Sequence, residues 1–182
     1  MVVVKLVSEM KELEGIRLLQ EQNLGKHLSA AEASAEGFVT AEYTVDFLKA
    51  MHDVHPSIIA KDNDTVVGYA LVATNPIREQ HPLLADLFNT IDKVVYKGIL
   101  LRDTRYVVVG QLCVGKGYRG QGLVQRMYEF YKESLKDSYD YLITDVVQTN
   151  QRSIKAHLKT GFIVVDTLEY GGVKWDIVLW EI

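Results

Sequence analysis

One cysteine, Cys113, stands in 182 residues, so no disulfide framework can form and a reducing, cytoplasmic setting is expected. Five scattered histidines and that single thiol do not assemble a zinc-type ligand set, and no metal is expected. Apolar runs are short as well: none nears the ~18 residues a membrane span needs. The opening MVVVKLV is too brief for a signal-peptide core and lacks a basic leader, so it reads as a first strand. A basic excess is also missing. The formal charge is −4, from 20 Lys and Arg against 24 Asp and Glu, which speaks against broad nucleic-acid binding. There is no internal repeat and no low-complexity tract. What remains is 48% apolar and 24% charged, ordinary for a soluble protein, at a length that suits one domain over 1–182 with a full core.

The order of patterns predicts a mixed α+β sheet with helices on its faces. VVVKLV (2–7) is a strand, and Ser8 can cap the helix that follows. Residues 29–41 are small and mixed, a connection or a weak helix; 44–51 is a short amphipathic helix. SIIAKDNDTVVGYALVAT reads as a β-hairpin turning at Lys61–Asp64. In 75–105, Pro76 and Pro82 break the chain, LLADLFNTIDKVV has helical spacing, and YKGILLRDTR returns toward the sheet. A strand over 106–114, a helix from about 120 to 136 and a strand over 141–147 come next. A helix after Asn150 ends at Gly161, which suits the left-handed C′ position. FIVVDTLEY, Gly171–Gly172 and VKWDIVLW close the chain as an antiparallel hairpin.

The chemistry concentrates in VVVGQLCVGKGYRGQGLVQRMYEFY (107–131). A β-branched run meets glycines and the basic residues Lys116, Arg119 and Arg126, then turns into a helix. A helix start leaves backbone N–H groups without intrahelical partners and carries about half a positive charge. Gly120 and Gly122 let a ligand approach that main chain, so donors at 120–124 can converge on phosphate oxygens. Two familiar alternatives fail on residue type: there is no Gly-Lys-Ser/Thr ending and no Gly-x-Gly-x-x-Gly spacing.

LCVGKGYRGQGLV resembles the acyl-CoA-binding motif of the GNAT acetyltransferase superfamily, Arg/Gln-x-x-Gly-x-Gly/Ala, here Arg119-Gly120-Gln121-Gly122-Leu123-Val124. Val124 stands where Gly or Ala is usual, but its N–H survives. NQRSIKAHLKTGF (150–162) is similar to the later family segment Asn-x-x-Ala-x-x-x-Tyr-x-x-x-Gly-Phe: Asn150, Gly161 and Phe162 match, Ser153 replaces Ala and His157 replaces Tyr. The two blocks come in the family's order, and the likeness covers most of 56–180, with 75–105 as an insertion.

That resemblance implies a splayed, mostly antiparallel mixed sheet with helices on both faces. Acetyl-CoA is then wedged between the strand ending at Val114 and the strand 141–147. Backbone groups of Leu112, Cys113 and Val114 pair with the pantetheine and polarise the thioester carbonyl. Residues 119–124 hold the pyrophosphate, with Asn150 and Ser153 beside the arm. A neutral primary amine (of a small molecule, an amino acid or a peptide) attacks the thioester directly in a ternary complex. His157, seven residues after Asn150 and so on almost the same helical stripe, is the expected general acid. Asp145 is the nearest candidate base, with Glu169 and Asp176 acting through water as others. A covalent relay through Cys113 lacks a neighbour to lower its pKa, apart from Lys116. His52 and His55 read as a solvated helix end before Pro56 rather than metal ligands. The acceptor pocket is expected from 24–55, 75–105 and 166–176, with Phe38 and Tyr43 available to line it. Partners are expected to be acetyl-CoA and an amine, without nucleic acid or membrane, and a homodimer is an option. The alternative is a non-catalytic acyl-CoA-binding module on the same scaffold.

Overall fold

The computed structural model describes residues 1–29 and 38–182. Most of the small-residue stretch 29–41 therefore lies outside the described residues. Among those described, seven strands form one sheet: β1 (Val2–Leu6), β2 (Ile58–Asp62), β3 (Thr65–Ala73), β6 (Tyr106–Val114), β7 (Tyr141–Val147), β8 (Ile163–Tyr170) and β9 (Val173–Glu181). Their spatial order is β1-β2-β3-β6-β7-β9-β8, antiparallel throughout except for β6 beside β7. This is the mixed sheet the sequence pattern predicted, mostly antiparallel as the family resemblance implied. Helices α1 (Met10–Gln22), α2 (Val45–Val54) and α3 (Pro82–Ile91) supply one apolar cluster, and α4 (Leu123–Leu135) and Phe162 the other.

The two faces explain the burial of β3. Tyr69, Leu71 and Ala73 belong to the first cluster, and Ala70 and Val72 to the second. Strand alternation sends successive side chains to opposite faces, so a run that is apolar throughout needs cover on both. α4 buries Leu123, Met127, Tyr128, Tyr131 and Leu135, a stripe at helical spacing. α5 (Gln151–Thr160) is capped as its sequence suggests: Asn150 Oδ1 accepts from Ser153 N–H at 3.2 Å, and Gly161 takes φ 119°.

Local chemistry departs from the sequence reading at two places. Ser8 does not cap α1; the N-cap is Glu9, and the Ser8 hydroxyl instead accepts from Lys5 Nζ at 2.8 Å. Within 75–105, residues 95–100 do not join the main sheet. They close on themselves as the hairpin β4 (Val95–Tyr96) and β5 (Ile99–Leu100), with Lys97 and Gly98 at positive φ in the turn.

Glu12 carries a stability prediction. It is 1% exposed, takes Lys5 Nζ at 2.7 Å and Lys61 Nζ at 3.0 Å on Oε1, and takes the Ser8 N–H at 2.8 Å on Oε2. Burial opposes its charge, but these three donors outweigh burial and hold the carboxyl at about 2, down from 4.5. A depressed folded-state pKa stabilises above the unfolded value, and that stability is lost as pH falls from 4.5 toward 2. Because both lysines are part-exposed, about 2 kcal/mol is expected at neutral pH. Denaturation midpoints should therefore fall steeply below about pH 4.5 in the parent protein, and the slope should flatten in Glu12→Gln.

Candidate active site

The site begins where two strands part. Among the described residues, β6 pairs with β7 only over Tyr106–Val108, opposite Tyr141–Ile143; beyond that, β7 pairs with β9 alone. At the fork, Thr144 Oγ1 donates to Val109 O at 2.7 Å. An irregularity in β6 helps to drive the parting. Ala70 faces Leu112 while Val72 faces Val109, so β6 carries an extra residue at Gly110–Gln111. Position 110 is tight: a Cβ would lie 3.3 Å from Met51 Cε and 3.4 Å from Ala73 Cβ, and the flexible end of Met51 would have to give way. Gln111 turns inward. Its Oε1 accepts from Tyr69 at 2.6 Å and from Gln20 at 2.8 Å, and its Nε2 donates to Ala41 O at 2.8 Å.

Past the bulge the open edge of β6 has a definite polarity. Gly115 N–H donates to Val67 O at 2.8 Å, so it points to β3. Alternation then turns the backbone groups of Cys113 toward β3, and those of Leu112 and Val114 toward the gap. Of the three residues expected to meet a pantetheine arm, Leu112 and Val114 present main chain to the gap and Cys113 does not. The Cys113 side chain is 6% exposed, and burial pushes its thiol up to about 12 despite Arg119 and Tyr69 nearby. At neutral pH it is a thiol, which does not suit a covalent relay.

A cavity of about 300 Å³ lies beside the open edge of β6, between it, the start of α4 and one face of α5. From β6 come Leu112, Cys113 and Val114, and from the turn and helix start Arg119, Gly120, Gly122, Leu123 and Val124. Gly120 and Gly122 have φ of 75° and 73°, the left-handed region that favours glycine. Gly122 is the N-cap of α4 and has no side chain to cap the first turn, so the turn's amides face the cavity uncapped. The other wall is one face of α5, including Arg152, Ser153, Ala156, Lys159 and Thr160. The sequence reading took Ser153 from this wall and missed the rest, although 152, 153, 156, 159 and 160 form a helical stripe whose centre is small.

Other expectations meet different surroundings. The Arg119 guanidinium donates from Nε to Val114 O at 2.9 Å and from Nη2 to Asn23 Oδ1, tying the turn to the end of α1. Gln121 is outside the lining and closes back on Gly117 O at 3.1 Å. Arg126 leaves the site to donate to Val2 O at 2.9 Å. Asn150 lines the cavity, while its amide donates to Phe38 O at 3.0 Å. Among the described residues no group of three His, Cys, Asp or Glu is placed to hold a metal ion.

A second cavity of about 70 Å³ adjoins the first, and the two share Phe38, Val39, Leu112, Asn150 and Ser153. Asp145 and His157 both border it. Asp145 is part-buried, with Oδ2 sealed from solvent and without a hydrogen-bond partner among the described residues. Burial lifts its carboxyl to about 7, only partly offset by its own backbone N–H. Glu169 is exposed, and Asp176 accepts from Gln148 Nε2 at 2.7 Å on the other face of β9 from Trp175 and Ile177. Tyr43 is buried, its hydroxyl 3.3 Å from Gly110 O.

His157 has a setting unlike the one expected of a general acid. It is 2% exposed, and burial lowers it to about 4 although the Ser153 carbonyl favours its charge. Nδ1 lies 2.8 Å from Ser153 O, a pure acceptor, so the neutral ring carries its proton there. Tyr128 Oη then donates to Nε2 at 2.6 Å. Both nitrogens are engaged, and the ring has no proton to offer the cavity. Its edge contacts with Tyr128 and Phe162 make it part of the packing that seats α5 on α4.

Residues 22–162 match the family model of the acetyltransferase (GNAT) family. Sequence comparison with curated proteins finds no match. Several solved structures share the fold at low identity. The protein yncA of Salmonella typhimurium, assigned as an acetyltransferase and solved with its cofactor acetyl-CoA, is 13% identical at a TM-score of 0.64, over 100% of this chain and 94% of its own. The ribosomal-protein-S18-alanine N-acetyltransferase of Escherichia coli is 11% identical at 0.65, over 100% and 94%. A GNAT-family acetyltransferase of Streptococcus agalactiae is 16% identical at 0.68, over 99% and 95%.

Proposed function

Because the chain belongs to the GNAT acetyltransferase family, we propose that it moves an acetyl group from acetyl-CoA to a primary amine by direct attack in a ternary complex. The observation that carries this reading is the fork itself: an unpaired β6 edge runs into a helix start whose first-turn amides are left uncapped. In this reading the Leu112 and Val114 main chain pairs with the pantetheine amides, and a backbone N–H of this edge polarises the thioester carbonyl. The amides following Gly120 and Gly122 take the pyrophosphate, and Arg152 and Lys159 add positive charge at the α5 wall. The acetyl group then lies where the two cavities meet, at Leu112, Asn150 and Ser153.

Asp145 accepts the first proton. An ammonium entering the smaller cavity gives it up to the Asp145 carboxylate, and the neutral amine attacks the thioester carbon. The nitrogen of the tetrahedral adduct still carries a surplus proton. As the C–S bond breaks, that proton ends on the departing sulfur, whose thiol pKa near ~8.5 favours protonation at neutral pH. No separate acid is needed, which accords with a fully engaged His157.

Calorimetric titration with acetyl-CoA and an assay of thiol release over a panel of amines test the proposal. Binding together with amine-dependent thiol release is the expected result. Binding and thermal stabilisation without thiol release from any amine would make the protein a non-catalytic acyl-CoA-binding module. Absence of binding would remove both readings.

A further inference from the structure

Asp145 is not the sole orphan in the smaller cavity. Trp175, on β9, is 6% exposed and borders the same space, and its Nε1 is sealed from solvent without a hydrogen-bond partner among the described residues. A buried indole N–H ordinarily finds an acceptor, and one left without costs free energy. The register puts these two side chains together. Asp145 pairs with Ile177 and Val147 with Trp175, so Asp145 and Trp175 share one face of the sheet as diagonal neighbours. One orphan is an acceptor and the other a donor.

We infer that the acceptor substrate is an α-aminoacyl amide, such as a peptide N-terminus, whose ammonium is taken by Asp145 Oδ2 and whose adjacent carbonyl is taken by Trp175 Nε1. This rests on the acetyltransferase reading and names its substrate class. The shared face favours the assignment: an amine and a carbonyl oxygen on adjacent carbons offer a donor and an acceptor side by side, as the diagonal pair Asp145 and Trp175 require. A simple alkylamine, or a lysine side chain, satisfies only Asp145. Charge sets the free amino acid aside. The described lining has no Lys or Arg, and a second carboxylate would sit close to that of Asp145. Size sets a further limit. About 70 Å³ bounded by Phe38, Leu83, Val147 and Trp175 leaves room for a small first side chain.

Two measurements test it. The first compares kcat/KM for alaninamide, alanine and isopropylamine in the parent and in Trp175→Phe, which keeps an aromatic ring at the position and removes the N–H. The amines differ in basicity, so the readout is the change in the alaninamide-to-isopropylamine ratio between the two proteins. A fall of roughly 5- to 20-fold is expected, the value of one buried hydrogen bond, with alanine the poorest substrate of the parent. The second follows the indole ¹⁵N–H signal of Trp175, identified by its loss in Trp175→Phe, as alaninamide alone is added. It should move to lower field, and isopropylamine should leave it in place. An unchanged ratio together with an unmoved indole signal would overturn the inference while leaving the acetyltransferase reading intact. A moving indole in a protein that does not bind acetyl-CoA would do the reverse, keeping the aminoacyl site and discarding the enzyme.

Discussion

Asp145→Asn should lower kcat/KM by about 10²- to 10⁴-fold, the range ascribed to a positioned proton acceptor, while making the folded protein more stable in mildly alkaline buffer. The two effects share one cause. Asp145 sits in the fork with one oxygen cut off from water and from any partner, and burial raises its carboxyl from 3.8 to about 7. Near neutrality such a group is poised to take a proton from an ammonium. The sign of the linkage follows. For a carboxyl whose folded pKa is raised, the charged form costs the folded state. The cost starts to build above 3.8, where the unfolded chain ionises, and is complete above about 7. The neutral amide escapes it. Allowing for partial exposure of the residue, Asp145→Asn should gain about 2–3 kcal/mol at pH 8, or roughly 5–10 °C in Tm. Below pH 4 the gain should vanish. The parent's kcat/KM should rise with pH through about 7, and this rise should be absent from the variant's residual activity. Paired pH–rate and pH–melting series on both proteins check all of this. A loss of activity accompanied by a loss of stability at pH 8 would mean that Asp145 braces the fold.

Gly122→Val should raise the Kd for acetyl-CoA about 30-fold or more. In the structure a Cβ at this position meets nothing within 4 Å, so crowding by protein is not the obstacle. The obstacle is the backbone. Gly122 holds φ 73° as the N-cap of α4, and a β-branched residue there costs ~1–2 kcal/mol or swings the first turn out of line. Either outcome disturbs the amides proposed to receive the pyrophosphate. Losing even one charge-assisted hydrogen bond, worth ~1.5–3 kcal/mol, accounts for the expected change. Gly171→Val is the control. Gly171 has φ 58° and equally open surroundings, but it lies in the β8–β9 turn away from the cavity. It should lower Tm comparably and leave the Kd unchanged.

The parts of this arrangement that are local in sequence were legible there. Strands 106–114 and 141–147 appear where their β-branched runs lie, because a central strand covered on both faces leaves a continuous apolar signature. Asn150 and Gly161 mark the two ends of α5 through side-chain capping and a left-handed backbone, which act within a few residues. The glycine turn was legible for the same reason. What escaped depends on distant partners. Ser8 has the right chemistry for a cap, yet Lys5 takes its hydroxyl, and Glu12 the N–H, of that residue. His157 sits on the expected stripe, but Tyr128, 29 residues away, fills its second nitrogen. Trp175 joins Asp145 only through the register of β9 on β7, which no short window of sequence encodes. Hairpin 95–100 was hidden by its two-residue strands, too short for an alternating pattern.

The inward-turned amide of Gln111 has a consequence for anyone who would retune this protein. One side chain fastens three bodies, α1 through Gln20, β3 through Tyr69 and the 41–43 stretch through Ala41, while Gln20 in turn accepts the Tyr43 N–H at 2.8 Å. The rim proposed to select the incoming amine and the strand proposed to present the thioester thus hang from a single hook. Redesign of the rim will carry over to donor alignment unless that hook is left in place.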